Sequence, residues 1–139
     1  MKVINEKPPI WADMKKAFDF DERTTIFTYK DAIWNPAGFH VTDDLQVHET
    51  VHQFQQAAMK KWYANGSILW WNRYLRDKEF RLEQELQAYR AQYQFVRTRV
   101  KNREELVRHL SNMAYALSSP MYGNVIGYAE AIKSIRNNY

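Results

Sequence analysis

Five residues carry the chemistry this chain is most equipped to do: His48, Glu49, Thr50, Val51 and His52, an H-E-x-x-H run. On a helix, residues four apart lie about one turn from each other, so both imidazoles leave the same face. Two ring nitrogens at that separation can grip one zinc ion. The glutamate between them sits beside the metal without binding it, placed to take a proton from an activated water. The alternative is a chance pair of helical histidines. Three things separate the two readings: a helix, an inward face and a third ligand.

The helix has clear start and stop signals. Thr42 is a good N-cap, and Asp43 and Asp44 put negative charge in the first turn, where the helix dipole favours it. No Pro or Gly interrupts the run from Asp43 to about Ala64, and Asn65-Gly66 is a strong stop. At about 100° per residue, His48, Val51, His52, Gln55, Ala58, Met59 and Trp62 fall on one stripe, so the histidines turn inward among apolar neighbours.

The elements around it follow from the same signals. Residues 1–9 read as extended, and Ile10 to Phe18 as a helix entered through Pro9. Thr24 to Tyr29 is rich in β-branched and aromatic residues and reads as a strand. Ala32-Ile33-Trp34 reads as a second short one, and Phe39-His40-Val41 as a further extended piece. Ser67 caps a short helix from Ile68 to Leu75, whose Trp70 and Trp71 suit a core better than a substrate pocket. Asp77 caps a helix to about Val100, with an apolar stripe of Leu82, Leu86, Tyr89, Tyr93, Val96 and Val100. Asn102 caps another through Leu117, Met121 to Gly127 is a turn segment, and a last helix covers Tyr128 to about Asn137. The expected fold class is α+β, mainly α: a small β element packed before the H-E-x-x-H helix, then several helices.

Composition bounds the rest. A chain of 139 residues is one domain by length, residues 1–139, with room for a real core. Apolar residues make up 45% and aromatics 15%, which describes a globular chain rather than a disordered one. No apolar run approaches membrane-spanning length, and Met1 to Pro9 lacks the apolar core of a secretory signal, so a cytoplasmic location is the default expectation. Cysteine is absent, which removes thiolate zinc ligands. The net charge is +4, much of it from Arg90, Arg97, Arg99, Lys101, Arg103 and Arg108. A solvated basic helix face explains these more simply than a nucleic-acid surface does. The oligomeric state is not written in the sequence.

Zinc takes four ligands, and a catalytic site keeps one for water, so one more protein ligand is needed. Candidates are His40, His109, Glu83 and Glu85. Glu85 falls about 60° from the centre of its helix's apolar stripe and Glu83 about 100° away on the other side. Glu85 therefore borders the buried face, where an unpaired carboxylate is costly and a metal offsets that cost. Glu83 and His109 remain open alternatives.

His48-Glu49-x-x-His52, with a glutamate some thirty residues on in Glu85-Leu-Gln-Ala-Tyr89, resembles the gluzincin branch of the zincin metallopeptidases in a minimal form. The resemblance covers about residues 24 to 95. It implies a zincin-like core, a Zn2+ cofactor and a peptide or protein substrate. His48, His52 and Glu85 would be the ligands and Glu49 the general base. An edge strand within Thr24 to Trp34 would hold the substrate backbone. Larger gluzincins often carry Asp four residues after the ligand Glu. Here that position is Tyr89, so the partner that orients the metal histidines is unassigned. An oxyanion donor is also needed, from Tyr122, Tyr89, Tyr93 or His109; Tyr122 is preferred because Ser-Pro-Met-Tyr-Gly is a tight loop able to aim a phenol into a cleft. Two other functions compete: a zincin-fold regulatory or binding protein that cleaves nothing, and a nucleic-acid-associated protein.

Overall fold

The computed structural model describes residues 1–59 and 65–137. Three short strands, β1 (Lys2–Ile4), β2 (Phe27–Tyr29) and β3 (Ala32–Trp34), form one sheet in the order β1-β3-β2. β2 and β3 are an antiparallel hairpin, with Phe27 opposite Trp34 and Tyr29 opposite Ala32. The hairpin turns through Lys30-Asp31, where Lys30 takes φ 58°. β1 joins on the far side, parallel to β3. The extended N-terminus is thus a third strand. Phe39 to Val41, expected to be extended, forms no strand; Phe39 O instead accepts from Asn35 Nδ2 at 2.7 Å. β2 is therefore an edge strand.

Six helices follow the expected order: α1 (Trp11–Ala17), α2 (Asp43–Ala58), α3 (Gly66–Arg76), α4 (Lys78–Arg99), α5 (Arg103–Leu117) and α6 (Tyr128–Arg136). The architecture is α+β, mainly α. Asp77 accepts from Glu79 N and Phe80 N, and Asn102 from Glu105 N, as their positions suggest. The cap of α3 is Asn65, which accepts from Ile68 N, so the helix starts at Gly66 and Ser67 lies inside it. Ser67 instead turns its Oγ to Lys30 N at 2.9 Å. α2 ends at Ala58. The expected continuation to Ala64, with Trp62 on its inner stripe, lies outside the described residues.

Two faces differ from their expected stripes. The buried residues of α2 are His48, Glu49, His52 and Gln56, whereas Ala58 is exposed. On α4, Leu82 and Leu86 are only half-buried, and the buried face carries Arg81, Gln84, Glu85 and Gln92 beside Tyr89 and Tyr93. Counting apolar side chains misses a face whose polar groups satisfy one another. The two helices run antiparallel with these faces together. Asp44 and His48 meet Gln92, His52 meets Glu85, and Gln55 meets Gln84.

An aromatic cluster closes the floor under this seam. Trp70 stacks on Tyr74 with centroids 4.7 Å apart, and Trp71 meets Phe27 edge-on at 6.0 Å. Trp70 and Trp71 are core residues, 1% and 3% exposed, as expected. They also wall the cavity described below. Arg81 pins the other end: Nε donates to Tyr74 O, Nη2 to Leu75 O and Nη1 to Tyr122 O. That last bond fixes the short 3-10 helix Pro120–Tyr122 against α4. Gly123 then turns away at φ 84°, with a Cβ there only 3.0 Å from Arg81 Nη1. Of the basic residues, Arg90 ties α4 to α6 through Ser134 O, and Arg97, Arg99, Lys101, Arg103 and Arg108 are exposed. No described helix is long and apolar enough to cross a membrane.

Candidate metal centre

α2 presents His48 and His52 one turn apart, and α4 brings Glu85 against them. The two Nε2 atoms are 3.2 Å apart. Glu85 Oε2 lies 3.2 Å from His48 Nε2, and Glu85 Oε1 lies 3.4 Å from His52 Nε2. Zinc bonds of 2.0–2.1 Å make a tetrahedron with edges of about 3.3–3.4 Å. The three donors therefore already stand at ligand-to-ligand spacing. All three residues are buried.

The hydrogen-bond network fixes which nitrogens carry protons. Gln92 Nε2 donates to Asp44 Oδ2 at 2.7 Å, so its Oε1 is the atom 3.0 Å from His48 Nδ1. Gln55 Nε2 donates to Gln84 O and to Gln87 Oε1, so its Oε1 is the atom 2.8 Å from His52 Nδ1. An amide oxygen only accepts, so both histidines are protonated at Nδ1. Both Nε2 atoms then point lone pairs at each other and at a carboxylate. Such an arrangement needs a positive charge at its centre. Glu85 Oε2 is buried and has no hydrogen-bond partner among the described residues. Its 3.2 Å approach to His48 Nε2 sets lone pair against lone pair and is not a bond. A metal ion resolves this, and the donor set of two imidazoles and one carboxylate fits zinc.

Without metal, a proton takes that role. Burial opposes charging His52, but the Glu85 carboxylate beside it outweighs burial and raises its pKa to about 9. Burial likewise opposes charge on Glu85, yet the His52 charge beside it holds its carboxyl well below the usual range. The sign of the linkage follows. Folded His52 holds its proton up to about pH 9, while the unfolded side chain gives it up near 6.5. This contribution to the stability of the metal-free protein is whole below 6.5 and shrinks by about 1.4 kcal/mol per pH unit until it is gone above about 9. Zinc must displace that proton, so zinc affinity should rise about tenfold per pH unit over the same range. Urea titrations of metal-free and zinc-loaded protein across the range test both; a metal-free stability flat from neutral to alkaline pH would refute the coupling.

Glu49 is not among the donors. Its Oε2 accepts from Thr28 Oγ1 at 2.6 Å, so β2 holds the carboxylate of α2 in place. Tyr74 OH donates to Glu85 Oε1 at 2.6 Å. His48, Glu49, His52, Glu85 and Tyr122 surround a cavity of about 30 Å³, room for about one or two waters. A groove of about 480 Å³ continues from it, sharing Ile26, His48, Glu49, Met121 and Tyr122 with the cavity wall.

The other expected residues divide. Tyr122 is buried on that shared wall, with its hydroxyl 2.9 Å from Tyr89 OH. Burial and the Glu85 charge push both phenols up, so both stay protonated. Glu83 and His40 are exposed, and Tyr93 packs in the core. His109 lines the far wall of the groove rather than the triad. Sequence reasoning missed Gln92, Gln55, Thr28 and Tyr74. Gln92 had a signal: it stands seven residues after Glu85, two turns along the same face. Comparison of the chain with protein-family models, with curated proteins and with solved structures finds no match.

Proposed function

We propose that this protein is a zinc-dependent metallopeptidase with a zincin-like site, hydrolysing amide bonds in a peptide or protein substrate. The observation that carries this reading is the set of three convergent lone-pair donors beside a carboxylate that is not one of them. His48, His52 and Glu85 would hold the zinc, which would supply Lewis acidity and bring the pKa of a water towards ~7. Glu49, tied to Thr28 through one oxygen, offers the other to that water. It takes the proton as the water adds to the carbonyl, then passes it to the departing amine. Tyr122 would donate to the developing oxyanion; its hydroxyl lies 2.9 Å from Tyr89 OH, and its hydrogen is free for that role when Tyr89 is the donor of their shared bond. The Ile26 end of β2 lines the groove, where an extended substrate could add to the sheet edge.

Protein purified without added metal should hold about one zinc per chain. It should cleave peptides in a mixed-sequence library, stop when the metal is chelated and recover when zinc is returned. Zinc uptake with no cleavage of any library member would leave only a metal-binding protein, and no zinc uptake would end the proposal.

A further inference from the structure

The groove leading to the triad has a charge opposite to that of the chain. The protein carries +4 overall, yet among the described residues this groove is lined by two carboxylates, Glu49 and Asp44, and by no lysine or arginine. Hydrolysis uses Glu49. It does not use Asp44. Asp44 lies five residues before Glu49 on α2, roughly 7.5 Å along the helix axis, about the reach of a long basic side chain. Its Oδ2 is held by Gln92 Nε2, which fixes the carboxylate in position. Leu45, Met113 and Met121 line the same groove, as does His109, whose ring acts electrostatically on the Asp44 carboxylate. A groove that combines such apolar side chains with a fixed carboxylate fits a side chain with a methylene stem and a cationic head.

We propose that Asp44 makes this groove a subsite for a lysine or arginine side chain next to the scissile bond. The proposal rests on the peptidase reading only in naming that bond. Cationic side chains gain from Asp44, and acidic ones are repelled by both groove carboxylates.

The test uses matched peptides differing only in Lys, Arg, Leu or Glu beside the cleaved position. The zinc-loaded protein should prefer Lys and Arg over Leu by about tenfold in kcat/KM, with Glu disfavoured. Asp44→Asn should bring the Lys-to-Leu ratio close to one. The ratio cancels any effect that this change has on His48 through Gln92. Binding to the Glu49→Gln protein gives a readout without turnover, in which the Lys peptide should again bind about tenfold tighter than the Leu peptide, a difference that Asp44→Asn removes. Cleavage with no charge preference overturns the subsite and leaves the peptidase reading standing. Charge-selective binding without any cleavage by the parent does the reverse. Equal Kd values for Lys and Glu peptides also overturn the subsite.

Discussion

Replacing Glu49 with Gln should leave zinc bound and lower turnover by about 10²–10⁴-fold, the range of a general acid–base contribution. The proposed zinc donors are His48, His52 and Glu85, so the change removes none of them. Local structure also survives. Thr28 Oγ1 donates to Glu49 Oε2, and an amide oxygen accepts the same bond. What is lost is the proton acceptor, since the amide nitrogen then faces the cavity as a donor. The two readouts are zinc content after dialysis and kcat/KM on one cleavable peptide. Loss of zinc together with activity would mean that Glu49 supports the metal. Activity within about threefold of the parent would exclude it as the base.

The helical order and the start of α2 were legible because their signals are local. Asp77 and Asn102 cap their helices as their positions suggest, whereas Thr42 stands at the start of α2 without a side-chain cap bond, and Asn65-Gly66 opens α3 instead of closing α2, which ends at Ala58. The H-E-x-x-H spacing needed only helical geometry to place both imidazoles on one face. Of the partners of that face, Glu85 was legible in the sequence as the preferred third ligand, whereas Gln92, Thr28 and Tyr74 were not, because each comes from another element. Gln92 and Glu85 arrive on α4, Thr28 on β2 and Tyr74 on α3.

The apolar-stripe rule turned the inner face of α4 towards Leu82 and Leu86, which left Glu85 at its border. The structure puts Glu85 inside, 3% exposed. That face is selected by mutual satisfaction: Gln84 accepts from Trp70 Nε1 and from Gln55, Gln92 bridges Asp44 to His48, and Tyr74 caps Glu85. A pattern rule built on hydrophobicity has no access to such a network. The pairing of β1 with β3 joins residues thirty apart and has no local signal either. Tyr122 reaches the site because Arg81 holds its carbonyl across 41 residues of chain.

Glu85→Gln should weaken zinc binding by some 10²–10³-fold without unfolding the metal-free protein. Tyr74 OH donates to Oε1, so the amide oxygen keeps that position and Nε2 takes the place of Oε2, 3.2 Å from His48 Nε2. There an N–H meets a lone pair, and the atom that now lacks a partner gains one. The metal-free variant should thus stay within about 1–2 kcal/mol of the metal-free parent at neutral pH. Glu85→Ala is the harsher change. It strands Tyr74 OH and removes one half of a buried pair, at a cost of about 3–5 kcal/mol. Zinc behaves oppositely. A structural site binds with roughly 10–16 kcal/mol over four ligands, so losing one costs about 3–4 kcal/mol, or some 10²–10³-fold in affinity. A carboxamide also cannot balance the ion's charge. Glu83→Gln, two residues away on the opposite, exposed face of α4, should bind zinc like the parent. The alkaline loss of stability should disappear as well, because without the Glu85 charge burial keeps His52 neutral. Zinc titrations and urea curves on the two Gln variants separate these outcomes. A Glu85→Gln protein that binds zinc as tightly as the parent would remove Glu85 from the ligand set, and with it the meeting of α2 and α4 as the metal site.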